Sequence, residues 1–458
     1  MASPNDDQKS NGALTRGCQW FKALSVMSWV KIVVKAAEKS KQIANDDPRR
    51  IVHSLKVGLA LIVVSMFYYF KQLFDNFGDN TMWAVLTVVV VFEFSVGATF
   101  KKGLNRMIAT LTGGALGAGA HLLATLSGST GEPILISFFV FITAGIVTFM
   151  KFFPSLKARF DYGFTIFILT FCLISVSGTR DSQALQMAQD RLSTIIIGSC
   201  TAILICIFIC PVWSGEDLHN LVAGNIEKLG NFLEGFGVEY FQVIEDDDQK
   251  RNEDKSFLEG YKSVLNSKSN EENMASLATW EPSHGGFRFR HPWKQYQKIG
   301  TLTRQCAYRI EALSCYIDSE IQSSLEIRSI TQETCTKIST ESGKALKELA
   351  IATKKMTRSK SANPHIANSK TAVEKLKSEL KIRLREEEAL LLDTIQVGAV
   401  ASLLVEVVEC TEKIAEAVYE LAAVAEFKRV EATVSPEQPH LLHQRGVVQP
   451  HHVITVVE

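Results

Sequence analysis

From Val57 to Pro211 the chain is written almost wholly in apolar residues, while both flanks are crowded with Lys, Arg, Asp and Glu. A helix needs about 20 consecutive apolar residues to cross the hydrocarbon core of a bilayer. Runs near that size, separated by turn or charge signals, fall at His53–Phe70, Met82–Thr99, Gly103–Leu126, Pro133–Phe153, Tyr162–Ser177 and Leu192–Trp213. The pattern therefore predicts six membrane helices. The fifth spans only with help from its flanks, and the third is interrupted by Gly113, Gly114, Gly117 and Gly119. The spacing Gly113-x-x-x-Gly117 reads as a site of close helix approach rather than of ion coordination by exposed backbone.

Short loops rich in Lys and Arg stay on the cytoplasmic side. Lys31, Lys35, Lys39, Lys41, Arg49 and Arg50 precede the first run, Lys101, Lys102 and Arg106 join the second and third, and Lys151, Lys157 and Arg159 join the fourth and fifth. The intervening loops carry Lys71 with Asp75 and Asp79, then Glu132, then Arg180, Asp181, Asp190 and Arg191. This alternation puts both termini in the cytoplasm.

Outside the apolar block the periodicity changes to that of water-exposed helices. Trp20–Ala44 is basic and amphipathic and reads as a helix lying on the inner leaflet. Beyond Trp213, apolar residues recur at helical spacing over Leu218–Phe241, Trp293–Ser323, Thr331–Lys355, Ala372–Leu392 and Leu392–Arg429, joined by Glu245–Asp248, Asn266–Asn273 and Ser359–Asn368. The expected organisation is an all-α membrane protein: a cytoplasmic N-terminal segment (1–52), a six-helix transmembrane domain (53–213), a cytosolic helical domain (214–430) and a disordered tail (431–458).

Composition alone conceals this division. The 458 residues balance 49 Lys+Arg against 49 Asp+Glu, with 46% hydrophobic and 21% charged residues, averages typical of a soluble protein. Segregation of the charge excludes a wholly soluble enzyme and a disordered chain. The 9 cysteines form no C-x-x-C pair, and Cys206 and Cys210, one helical turn apart, lie in an apolar run where thiols act as small hydrophobes. No phosphate-binding loop, no H-E-x-x-H and no nucleophile elbow is present, so ATP-driven transport and hydrolysis lack their parts. The chain is expected not to be an enzyme, and to need no cofactor, no metal and no nucleic acid.

What remains informative is charge inside or beside apolar helices, where an ionised side chain costs at least about 2.5 kcal/mol. Lys56, Glu93, Lys102, Arg106 and Arg191 hold such positions. Lys56 either snorkels to the inner surface or lines a path. Lys102 and Arg106 either set topology or contact an anion. Arg191 lies at the outer start of the sixth run, where no Arg is expected, and either meets an anion or pairs with Asp190. Glu93 interrupts VLTVVVVFEFSVGA and needs a cationic partner, as a static ion pair or as a gate. Cations on several apolar helices with no energy-coupling motif point to passage of anions, the more so if two subunits contribute.

Particular strings add a resemblance. DDPRRIVHSLKVGLAL at Asp46–Leu61, MWAVLTVVVVFEFSVGATFKKGLNR at Met82–Arg106, FDYGFTIFILTF at Phe160–Phe171, CPVWSGEDLH at Cys210–His219 and WEPSHGGFRFRHPWKQY at Trp280–Tyr296 are similar to the plant aluminium-activated malate transporter family over nearly the whole chain. The resemblance implies a homodimeric channel for malate and other anions in a lipid bilayer, with the pore at the subunit interface. It carries the pore-lining basic positions onto Lys56, Lys102, Arg106 and Arg191, and gives Trp280, Glu281 and Pro282 a structural or gating role in the cytosolic domain. Members that respond to aluminium carry several acids on the outer face, whereas the loop here reads SGTRDSQALQMAQDR, with Asp181, Asp190 and, one loop earlier, Asp75. Hard cations want oxygen ligands, so aluminium activation is expected to be weak or absent. The plasma membrane is the expected location, with the vacuolar membrane as alternative.

A coupled carboxylate or aromatic-acid exporter is the competing expectation, and Glu93 separates the two. A proton-coupled carrier requires a titrating carboxylate, whereas a channel conducts without one. A third reading, a cytosolic signalling module on a membrane anchor, leaves the intramembrane cations without purpose.

Overall fold

A computed structural model describes residues 31, 33–69, 81–177, 184–241, 255–317, 325–386 and 391–429. The tail at 431–458, residues 20–30 and 32 of the Trp20–Ala44 segment, Asp75, Asp79, Asp181 and Glu245–Asp248 lie outside the described residues. A helical stretch over 33–46, exposed at Val33 and Val34, precedes the first long helix. That helix, α1 (Arg49–Tyr69), starts where Asp47 accepts the Arg49 N–H at 3.1 Å and Pro48 supplies a preset φ.

The second expected span does not run unbroken to Thr99. Helix α2 (Thr81–Val91) stops, Phe92–Ser95 are non-helical, and α3 (Val96–Thr125) begins at once. Ser95 caps α3 by accepting the Ala98 N–H at 3.3 Å, and the Val96 N–H donates to the Val212 carbonyl. The Thr99 hydroxyl accepts from the Glu93 N–H at 3.1 Å, closing the break. Lys101, Lys102 and Arg106 therefore stand on the first turns of a 30-residue helix and not in a loop.

Helices α4 (Gly128–Met150), α5 (Pro154–Ser177) and α6 (Ala184–Phe208) complete the apolar part. Lys157 and Arg159 likewise lie on the opening turns of α5 rather than in the preceding connection. Among the described residues, 4 helices are long and apolar enough to cross a membrane, namely 96–125, 130–150, 154–176 and 191–208. The α2 helix has only 11 residues, and α1 carries Arg49, Arg50 and Lys56. Gly113 and Gly117 do mark close approach: a Cβ at Gly113 would stand 2.8 Å from the Phe167 carbonyl oxygen, and one at Gly117 3.1 Å from that of Phe171. Ala60, Val64, Ala84, Val88, Ala202 and Cys206 form a small core joining α1, α2 and α6.

A separate core lies in the helices after Trp213. It joins α7 (Ser214–Phe241), α8 (Lys268–Ala278), α9 (Trp293–Ile317), α10 (Leu325–Lys354), α11 (Ala362–Glu386) and α12 (Leu391–Val424) through Phe232, Phe236, Tyr296, Ile310, Leu346 and Leu404, all fully or nearly fully buried. Two stretches expected as connections are helical. Asn266–Asn273 feeds α8, and Ser359–Asn368 overlaps the start of α11, whose Pro364 sits in the first turn where its missing N–H is harmless. Parallel strands β1 (Thr357–Arg358) and β2 (Lys428–Arg429) close the bundle's end.

Candidate functional site

Lys102 and Arg106 are four residues apart on α3 and so project from one helical face. Lys102 forms an ion pair with Glu93, which the break before α3 brings back alongside it. Its ammonium also lies 5.9 Å from the Tyr162 ring centroid. Arg106, 7% exposed, donates through a terminal nitrogen to the Tyr162 hydroxyl at 2.9 Å, while its Nε is buried with no hydrogen-bond partner.

Arg191 is 9% exposed, and its guanidinium stacks on the Trp83 indole, 3.9 Å from the ring centroid. The side chain of Asp190, its expected alternative partner, is outside the described residues. Arg106 is near enough to Arg191 for the two positive charges to repel. Among the described residues neither guanidinium has a carboxylate partner. Buried guanidinium groups left without a counter-charge are costly in the resting protein and attract a mobile anion.

Lys56 is 2% exposed and donates to the Cys210 carbonyl at 2.7 Å. It does not snorkel to a surface within this chain. Cys210 adopts φ 41°, an unusual conformation for a residue with a side chain, and the Lys56 ammonium satisfies the carbonyl that this bend leaves beyond the end of α6. Two of the ammonium's three donors remain for other partners. His53, between the Phe92 and Phe94 rings, feels the charges of both Lys56 and Glu93.

Several polar groups here were not singled out in the sequence. The Thr110 and Ser199 hydroxyls are buried with no hydrogen-bond partner, beside helices that also carry Arg106 and Arg191. A Cβ on Gly103 would lie 3.7 Å from Ser199 Cβ, so α3 and α6 touch there. Tyr162 and Trp83 complete the set. An aromatic in an apolar helix looks like a lipid anchor, so only the contacts of Tyr162 with Arg106 and of Trp83 with Arg191 distinguish these two.

The Trp280-Glu281-Pro282 motif lies at the seam between the two cores. Glu281 is buried and accepts N–H groups from Ser214 at 2.6 Å, Gly215 at 3.0 Å and Gly97. One carboxylate thus serves two helix N-termini, that of α7 and that of α3. Negative charge at a helix start is favourable. Burial nevertheless pushes the Glu281 carboxyl above its ordinary range, and the donated N–H groups oppose that shift only in part. Trp280 lies under the Arg159 guanidinium at 5.6 Å, and the Trp213 indole stacks on His284 at 3.8 Å. Pro282 contributes its carbonyl, in contact with His284 Nδ1 at 2.9 Å. The motif therefore joins the helical bundle to α3, α5 and the end of α6, and does more than shape the turn before Trp293.

No group of three or more His, Cys, Asp or Glu suited to a metal occurs among the described residues. Comparison with known proteins gives a consistent result. Residues 41–385 match the family model described as aluminium activated malate transporter. The chain is 53% identical over 397 residues to aluminum-activated malate transporter 2 of Arabidopsis thaliana, covering 86% of this chain and 79% of that protein. It is 50% identical over 432 residues to transporter 1 of the same plant, with 91% and 86% covered. Against aluminum-activated malate transporter 1 of Triticum aestivum it is 44% identical over 406 residues, with 87% of each chain covered.

Proposed function

We propose, from the premise that this chain belongs to the aluminium-activated malate transporter family, that it carries malate across a membrane as a passive anion channel. The family consists of transporters, not enzymes. The observation that supports the channel reading most is the pair of buried guanidinium groups, Arg106 and Arg191, near one another and without carboxylate partners among the described residues. A dianion passing them exchanges its water for fixed positive charge. Lys102 stands one turn from Arg106, balanced by Glu93, and Lys56 holds the end of α6.

In this reading residues 53–213 form the conducting part, residues 214–430 a cytosolic domain, and two subunits share the pore. Inorganic anions follow malate through the same path. The plasma membrane is the location we favour. The Glu93–Lys102 ion pair supports a static role for Glu93, as the counter-charge of an ammonium on an apolar helix.

Voltage-clamp recording of the expressed protein under a malate gradient tests the proposal. A channel gives a current whose reversal potential follows the malate gradient and is indifferent to a proton gradient, and Glu93→Gln still conducts. Malate flux that needs the proton gradient and disappears in Glu93→Gln would replace the channel by a coupled exporter.

A further inference from the structure

The helical bundle after Trp213 meets the starts of α1, α3 and α5 at one of its ends. Arg49 at the start of α1 pairs with Asp217 at 2.8 Å, the Gly97 N–H on α3 donates to Glu281, and Arg159 on α5 lies over Trp280. Bundle residues close to these contacts therefore stand near the membrane surface. Three connections bring further segments to the same end. A tight turn through Gly285 (φ 52°), closed by hydrogen bonds between His284 and Phe287, sets Gly286 against Met356, where a Cβ would stand 2.7 Å from Met356 Sδ. The Met356 carbonyl accepts the Lys428 N–H at 3.0 Å, and the Lys354 carbonyl lies 3.4 Å from His219 Nε2. His219 is in the second turn of α7, about 8 Å along the helix from its start. That is about one electrostatic screening length at physiological salt.

The surface so assembled is basic. Arg290, Lys354, Lys355, Lys360, Lys428 and Arg429 are all exposed, and none of them has an ion-pair partner among the described residues. The acids nearby do not balance them. Glu426 is held by Arg288, Asp217 by Arg49, Glu420 by Lys298, and Glu281 is buried against backbone N–H groups, which leaves Glu216 at the start of α7. Phe289, between Arg288 and Arg290, is 70% exposed. A soluble polyanion would meet the charge but has no use for that ring. The inner face of a bilayer uses both, since anionic headgroups attract clustered Lys and Arg, and an aromatic side chain enters the boundary between headgroups and acyl chains.

We propose that this end of the bundle is a docking surface for anionic phospholipids of the inner leaflet, with the six cations on the headgroups and Phe289 at the headgroup boundary. The bundle that Glu281 ties to α3 is then also held by the lipid around the subunit. Only the choice of leaflet rests on the cytosolic placement of residues 214–430 in the function proposed above. The docking itself is independent of the channel reading, because its test reads lipid contact in a bilayer whose two leaflets are alike, and not transport.

The experiment uses the full-length protein in nanodiscs of phosphatidylcholine, with and without phosphatidylserine, at physiological salt. An amine-reactive reagent labels exposed lysines, and peptide mass spectrometry reads the rate at each one. Phosphatidylserine is expected to slow the labelling of Lys354, Lys355, Lys360 and Lys428 about fivefold, the factor that one basic side chain gains beside an anionic surface. Lys381, exposed far along α11, is expected to react equally in both lipids. Molar salt is expected to restore the labelling, since it shortens the screening length to about 3 Å. The triple variant Phe289→Asp, Arg290→Glu, Arg429→Glu changes exposed positions only and keeps the four lysines as reporters; it is expected to lose most of the protection. Equal labelling in the two lipids would overturn the proposal, as would protection that survives the triple variant. Equal protection by soluble inositol hexakisphosphate in phosphatidylcholine discs would overturn it in favour of a soluble polyanion. Lysines already unreactive in phosphatidylcholine alone would overturn it in favour of cover by protein.

Discussion

The guanidinium of Arg191 lies 3.9 Å from the centroid of the Trp83 indole, and among the described residues no carboxylate pairs with it. A ring face attracts a cation without neutralising it, so in the channel we propose Arg191 keeps its charge for a passing anion. Such contacts contribute roughly 0.5–2 kcal/mol. Trp83→Phe is therefore expected to retain most of the malate current, and Trp83→Ala to lower it about two- to thirtyfold at equal surface expression, the range those energies imply. Whole-cell recording with surface biotinylation separates loss of conduction from loss of protein.

Glu281 holds the N-termini of α3 and α7 at once, so the helix that carries Lys102 and Arg106 is tied to the helical bundle that follows Trp213 by one carboxylate. Glu281→Gln keeps the shape and one acceptor oxygen but removes the charge. We expect a folded, membrane-inserted protein with a markedly reduced open probability in single-channel records and unchanged unitary conductance. A fall in unitary conductance instead would mean that Glu281 acts on the ion path itself.

The pH dependence of stability has a defined sign through His291. Burial, reinforced by the charges of His219 and His284, pulls its pKa from the ordinary 6.5 to about 4. The unfolded chain therefore binds a proton at higher pH than the folded one. The stability that depends on neutral His291 is complete above about pH 6.5 and declines as pH falls through about 4, by at most about 1.4 kcal/mol per unit. Thermal melts of the purified protein at pH 7 and pH 5 should show the lower melting temperature at pH 5, and His291→Phe should flatten that difference.

A Cβ at Gly113 would stand 2.8 Å from the Phe167 carbonyl oxygen, which is backbone and moves only with α5. Gly113→Ala is expected to cost about 1–3 kcal/mol through overpacking, whereas Gly119→Ala, with open space around it, is expected to be neutral. Detergent thermal unfolding of the two variants provides the comparison.

Aluminium is expected to raise the current weakly or not at all, because the loop after the fifth apolar run offers few carboxylates for a hard cation. Recording before and after aluminium in acidic bath solution tests this. A large rise in current would restore the response that the family name describes.

Apolar length and spacing were enough to find the long spans, since Val96–Thr125 and Arg191–Phe208 announce themselves by composition. They could not reveal the break at Phe92–Ser95. The string VVVVFEFSVGA is apolar on both sides of Glu93, and what ends α2 is tertiary: the Ser95 cap, the Thr99 hydroxyl and the Val212 carbonyl. Glu281 was marked only through the resemblance, as part of the Trp280-Glu281-Pro282 motif, and its partners lie far away in sequence, at Gly97, Ser214 and Gly215. Tyr162 and Trp83 were invisible for the same reason, because aromatics in apolar helices acquire meaning only against Arg106 and Arg191. The Gly113-x-x-x-Gly117 spacing, by contrast, was a local signal and matches the approach of α5.

The most direct measurement is patch recording of malate, nitrate and chloride currents from wild type and Arg191→Ala at matched surface expression. If the buried guanidinium groups of Arg106 and Arg191 conduct the anion, the wild type gives large anion currents, and the variant shows a smaller malate conductance with a shifted malate-to-chloride permeability ratio. Currents of unaltered size and selectivity in Arg191→Ala would contradict the account.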